Sequence, residues 1–86
     1  MYVDKMEKYA DTLKAIGHTI DILRKERRMT KCALADFSEL QECHIRKIIL
    51  GKHNFTLLTF FKVCDALQIS PLEFFEKLNI ARNNPS

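Results

Sequence analysis

Apolar and polar positions alternate with a helical period along most of the chain. Met6, Tyr9, Leu13, Ile16, Ile20 and Leu23 step by 3, 4, 3, 4 and 3, the seam of an amphipathic helix. This predicts a first helix that either runs unbroken from near Asp4 to Arg27 or starts at Asp11, which suits an N-cap, behind a looser arm. Gly17 weakens the middle of the longer version without forbidding it. Leu13 to Leu23 read as core, while Met6 and Tyr9 stay unassigned, because so few heptad-like steps fit core packing as well as a coiled coil.

Thr30 is placed to cap a short second helix, Lys31 to about Phe37, with Leu34 and Ala35 turned inward. Only a few residues later a third helix begins in LQECHIRKIILGK, residues 40–52. Its apolar side is Leu40, Ile45 and Ile48, and it stops at Gly51, a residue suited to a helix C-terminus. Thr56 caps a fourth helix whose broad stripe, Leu57, Phe60, Phe61, Val63, Cys64 and Leu67, reads as core. Ser70, Pro71 and Glu73 combine an N-cap, a proline at the first helical position and a capping-box acid. They open a fifth helix through Leu72, Phe74, Phe75 and Leu78, followed by a frayed end, RNNPS.

Composition adds limits to this all-α outline. The 86 residues fit one small domain; a second would have no core of its own. Two glycines and two prolines leave little material for tight β-turns, and 47% apolar residues exclude a low-complexity chain. No apolar run has the length of a membrane span, and the charged N-terminus MYVDKMEKYAD is unlike a signal peptide, so a soluble cytoplasmic protein is expected. Cys32, Cys43 and Cys64 match neither paired disulfides nor zinc-site spacing, and they read as reduced thiols. With His18, His44 and His53 scattered, no metal site and no cofactor is expected. No phosphate loop, nucleophile elbow or H-E-x-x-H occurs, so the chain is not expected to be an enzyme.

Charge is informative by position. Residues 1–23 hold three Lys against four acids and residues 54–86 hold three bases against three acids, whereas residues 24–53 hold eight bases against four acids. The whole net charge of +3 therefore lies in the middle of the chain, where a local basic surface suits a polyanion. Two short helices joined by a tight connection project the second outward, and B-DNA's major groove accepts one α-helix. On the third helix the outward residues are Glu42, Cys43, Arg46 and Lys47, with Glu42/Arg46 and Cys43/Lys47 forming two stripes four residues apart. Glutamate can accept from cytosine N4, and Arg or Lys can donate to guanine O6 and N7. Glu42 and Arg46 equally fit a surface ion pair worth about 0.2–0.5 kcal/mol. Lys31, Lys52, His53 and Asn54 flank the same helix, where charge and free backbone donors suit phosphates.

These segments, taken in order, resemble the lambda-repressor-like, Cro/Xre-type helix-turn-helix family of bacterial and phage regulators. The likeness covers residues 16–75 and rests on IGHTIDILRKERRMT, TKCALADFSELQECHIRKIILGK, NFTLLTFFKVCDAL and QISPLEFF. It implies a five-helix domain over residues 13–80, with residues 1–12 as an N-terminal helical extension or continuation of the first helix and residues 81–86 as a flexible tail. It further implies a sequence-specific transcriptional regulator, repressor or controller, that binds a palindromic operator as a homodimer. Its partner would be double-stranded DNA, with no small-molecule ligand, and its recognition helix would span residues 41–50. Gln41, Glu42, Cys43, Arg46 and Lys47 match the base-reading positions, and Lys31 and residues Lys52 to Asn54 match phosphate contacts. The alternative is a protein-interaction module or antitoxin on the same fold with weak or no DNA binding.

Three positions depart from the family pattern. Glu39 stands where the turn often has glycine, so it either takes a left-handed conformation or the turn is built differently; Ser38 to Gln41 could also form a capping box that starts the third helix early. Ile49 replaces an acid that often pairs with the arginine at position 24, which would free Arg24 for DNA or solvent. Glu42 and Cys43 are unusual leading residues on a reading helix.

Overall fold

The computed structural model describes the backbone of residues 2–52 and 54–83, and the side chains of residues 9–52 and 54–78. Five helices follow one another: α1 (Tyr2–Glu26), α2 (Lys31–Ser38), α3 (Glu42–Ile49), α4 (Leu57–Ala66) and α5 (Pro71–Asn83). No strand occurs among the described residues. α1 runs without a break through Asp11, and α5 continues through 81–83, where the sequence suggests the start of a tail; residues 84–86 lie outside the described residues. α2 packs on α3 and α4, α1 packs on α3 and α5, and α4 packs on α5.

Local chemistry sets the helix starts as the sequence predicts. The Thr30 hydroxyl accepts from Ala33 N–H at 3.0 Å, and Thr56 accepts from Thr59 N–H at 3.2 Å. At α5 the capping box is reciprocal: Glu73 N–H donates to Ser70 Oγ at 3.1 Å and Ser70 N–H donates to Glu73 Oε1 at 3.4 Å.

The helix ends follow a rule that the sequence hides. α1 to α4 are each followed by one left-handed residue: Arg28 (φ 56°), Glu39 (φ 60°), Gly51 (φ 73°) and Gln68 (φ 57°). The next residue's N–H reaches back to close each end, Met29 to Arg24 O, Leu40 to Ala35 O, Lys52 to Lys47 O and Ile69 to Cys64 O, all at 2.9–3.0 Å. Only one of the four is glycine; the other three hold a conformation costing about 1–2 kcal/mol with a Cβ. Three of the closing residues repay it, since Met29 and Leu40 pack on the core and Ile69 is buried in it. The turn before α3 is thus left-handed, with Glu39 accepting the strain. The capping-box alternative fails: Ser38 is the buried last residue of α2, and Gln41, not Ser38, caps α3.

The core gathers Ile20, Leu23, Leu34, Ala35, Ile45, Ile48, Phe60, Val63, Cys64, Leu67 and Phe74, with Ile16, Leu40 and Ile49 packed against it. Phe60 is the aromatic centre, edge-on to Phe74 with ring centroids 5.1 Å apart. Burial pushes the Cys64 thiol up to about 11, which keeps it protonated and inert. The stripes of α4 and α5 are narrower inside than their sequences suggest: Leu57 and Phe61 are 69% and 47% exposed, and Leu72 and Phe75 are 71% and 46% exposed. Helical spacing marks an apolar side, but these four positions lie at or outside the margin of the core.

Arg24 is not freed by the loss of its expected partner. Its Nε and Nη2 donate to Asp21 Oδ1 at 3.1 and 2.8 Å, and its Nη1 donates to Met29 O at 2.6 Å, tying α1 to the connection before α2. Arg27 likewise donates from Nε to the Leu67 carbonyl, fastening the end of α1 to the end of α4.

Gly17 proves structural. A Cβ there would land on the carbonyl oxygens of Ile48 and Ile49, at the last turn of α3. Gly51 meets α1 one turn earlier, where an added Cβ would come 2.8 Å from the Lys14 Cα. At Gly17 the two backbones therefore meet with no side chain between them, and at Gly51 the chain lies against the backbone and the Cγ of Lys14.

Two stability tests follow from these contacts. Replacing Gly17 by Ala gains about 1 kcal/mol of helix propensity but forces the backbones apart, and we expect a net loss of about 2 kcal/mol or more in denaturant unfolding. Asp21 is partly buried, which opposes ionisation, but its bonds to Arg24 and Lys25 outweigh that and hold its carboxyl below the ordinary value. A carboxyl depressed in the folded state contributes stability above its unfolded pKa near 4 and loses it as the pH falls through the folded value. Asp21→Asn should therefore cost about 1 kcal/mol at pH 7 and progressively less on acidification, with the two unfolding curves converging as the folded carboxyl takes up its proton.

Candidate nucleic-acid interface

α3 is held by one side only. Ile45 and Ile48 are fully buried, Leu40 packs beneath the preceding turn, and the glycine seam fixes the far end against α1. Cys43, Arg46 and Lys47 are exposed, and Glu42 is half-exposed. Burying two isoleucines on successive turns, three residues apart, leaves the rest of the helix surface outward.

The helix begins one residue later than the expected span of 41–50 and ends one residue earlier. Gln41 is its N-cap in extended conformation, without a side-chain capping bond; its Oε1 instead accepts from Cys43 Sγ at 3.6 Å. Glu42 is the first helical residue, where a carboxylate complements the positive end of the helix, and Arg46 and Lys47 stand in the last turn, where cations do the same. The stripe of Glu42 and Arg46 is an ion pair: Arg46 Nε and Nη2 both donate to Glu42 Oε2, at 3.1 and 2.6 Å. On the other stripe, Cys43 and Lys47 line a shallow depression with Glu39, Leu40, Gln41 and His44. The structure thus brings Gln41, Cys43 and Lys47 together. It adds His44, which the sequence offered only as one of three scattered histidines.

Lys31 is the first residue of α2, and the first turn of that helix holds no acid. A lysine there opposes the helix dipole, so an anion beside it would relieve an unfavourable arrangement. Lys52 and Asn54 are exposed in the connection from α3 to α4; His53, expected beside them, lies outside the described residues. Of the eight central bases, Arg24 and Arg27 are spent on internal bonds and Lys25 is paired with Asp21 at 3.3 Å. The outward basic surface is carried by Arg28, Lys31, Arg46, Lys47 and Lys52.

Sequence reasoning missed the residues that aim this surface. Gly17 offered only a propensity penalty, because the carbonyls it meets are distant in sequence. Arg24 looked unpaired, although Asp21 three residues earlier on the same helix was a legible partner; only its bond to the Met29 carbonyl had no sequence signal.

No protein-family model matches the chain, and no curated protein sequence matches it. Solved structures do. The wild-type restriction-modification controller protein C.Esp1396I is 27% identical, covers 86% of this chain and 95% of its own, and superposes with a TM-score of 0.81. The controller C.AhdI from Aeromonas hydrophila is 28% identical over 76% of this chain and 98% of its own, at a TM-score of 0.73. C.Esp1396I bound to a 25 base pair operator site is 30% identical, covering 78% of this chain and 88% of its own, also at 0.73. With five helices and this identity across most of both chains, the protein belongs to the lambda-repressor-like, Cro/Xre-type helix-turn-helix family of DNA-binding regulators.

Proposed function

We propose that the protein is a sequence-specific transcriptional regulator that enters the major groove of an operator with α3, in the cytoplasm of a bacterium, as the controller of a restriction-modification system. The single observation that carries this reading is α3 itself: anchored by Ile45, Ile48 and the glycine seam, it offers a polar side with Arg46 and Lys47 outward. Gln41, Glu42, Cys43, Arg46 and Lys47 face the bases in this arrangement. Lys31, Lys52 and Asn54 hold phosphates on either side of the groove. We assign no catalytic step, because regulation by occupancy of an operator requires none.

A homodimer fits this use, since one small module reads few base pairs and two-fold symmetry doubles the site. The exposed apolar residues of α4 and α5, Leu57, Phe61, Leu72 and Phe75, are the surface best suited to the second copy. Phe74 and Leu78 on the same fifth helix are buried in the protomer and face its own core instead.

Replacing Arg46 and Lys47 together by Ala should abolish specific DNA binding in a gel-shift assay while leaving stability within about 0.5 kcal/mol, as for surface positions elsewhere. Ala at Lys31 or Lys52 should weaken binding to all sequences alike and lower the salt slope by about one counterion each. Unaltered affinity in every one of these variants would remove the proposal. For assembly, the double variant Leu57→Glu/Leu72→Glu should sediment as a folded monomer where the parent is a dimer, whereas truncation before Asp11 should leave the dimer intact.

A further inference from the structure

The pairing of Glu42 with Arg46 has a donor and acceptor layout that fits one particular base-pair edge. Both Arg46 bonds go to the same oxygen, Oε2, through Nε and Nη2. Among the described residues, Glu42 Oε1 and Arg46 Nη1 have no hydrogen-bond partner. The pair therefore ends in an acceptor oxygen lying beside a two-pronged donor edge, with the contact between the two groups at 2.6 Å. In the major groove a G·C pair presents the complement: cytosine N4 as donor next to guanine O6 as acceptor, one hydrogen bond of about 2.9 Å apart. Guanine N7 stands beyond O6 as a second acceptor, matching both prongs of a guanidinium. An A·T pair also sets a donor beside an acceptor, but past thymine O4 lies a methyl group, so one prong of Arg46 would be left without a partner.

We propose that Glu42 and Arg46 act as one composite reader of a single G·C pair, with Glu42 as the positioning and specificity-determining residue. Resting on the DNA-binding function proposed above, this gives the carboxylate two tasks. Oε2 holds the guanidinium edge so that Nη1 and Nη2 face guanine N7 and O6, and Oε1 accepts from cytosine N4. In water the pair is weakly held, with side chains 62% and 38% exposed. Groove entry removes that solvent, which strengthens both the internal ion pair and its bonds to the base pair. The role also explains how an acid is tolerated on a helix that must approach phosphates: Arg46 neutralises it before contact.

The test is selection of binding sites from random duplex DNA with the full chain, followed by affinity measurements on single base-pair changes. Wild type should select one near-invariant G·C pair per half-site, losing about ten-fold in affinity when that pair becomes A·T, the 1.4 kcal/mol scale of one bidentate contact. Glu42→Ala removes a negative charge, so binding to random DNA should be kept or tightened, while the ten-fold preference at that one pair should fall below two-fold. Glu42→Gln should shift the preference toward adenine, which a glutamine can read through N6 and N7. Arg46→Ala should erase the preference at the same pair as Glu42→Ala. A merely structural acid would change thermal stability and leave the selected sequence unaltered. Retention of the wild-type preference at every position by Glu42→Ala, or loss at two different pairs in the Glu42 and Arg46 variants, overturns the inference while leaving the proposed function standing. Absence of any selected sequence with wild type overturns both.

Discussion

The contact on which this fold turns is the close approach of two backbones at a pair of glycines. Both glycines of the chain lie at the seam between α1 and the end of α3, Gly17 under the carbonyls of Ile48 and Ile49 and Gly51 over Lys14. Peptide groups at that distance leave no room to slide or rotate, because any shift either opens a void or drives an oxygen into the opposite backbone. Ile45 and Ile48 then fix the rotation of α3 about its own axis, and with it the direction in which Arg46 and Lys47 leave the surface. The reading helix is thus aimed by α1, an element that carries none of the proposed base-reading residues.

The basic middle of the chain divides into two populations with different work. Arg24 and Arg27 act inward, the first closing the connection after α1 onto Met29 and the second reaching from α1 to the end of α4. Their planar, multiply donating heads suit carbonyl and carboxylate partners that a lysine would satisfy less completely. Lys31, Lys47 and Lys52 lie around α2 and α3, and none of them forms an ion pair among the described residues. Net charge alone would have counted all of these as one surface.

What could be read from the sequence was whatever is settled within about four residues. Thr30, Thr56 and the Ser70–Glu73 box cap helices in the structure as their spacing predicts, since both partners lie in the same short stretch. The inward placement of Leu34, Ile45 and Ile48 was equally legible from helical period. Three things were not. Which of the two turns Glu39 builds was not settled by the sequence, because the strain of its left-handed backbone is offset by Leu40 packing on the core rather than by its own side chain. Leu57, Phe61, Leu72 and Phe75 carry an apolar pattern that says nothing of what covers it. Glu42 and Arg46 were visible as a possible pair, but the shared oxygen that leaves one acceptor and one donor edge unoccupied is a matter of rotamers, which a sequence does not specify.

The left-handed helix endings have a consequence for how such a protein can change over generations. Residues 27–30, 39–41 and 67–70 are connections in which most backbone N–H groups close the helix behind, while the carbonyls of Thr30, Gln41 and Ser70 open the helix ahead. An inserted or deleted residue in any of them would rotate the following helix by about 100° and turn its buried side outward. Lineages of this fold are therefore free to exchange side chains on the outer face of α3, and much less free to alter its length. Diversity in the DNA sites they recognise should arise by substitution on a frame of fixed register.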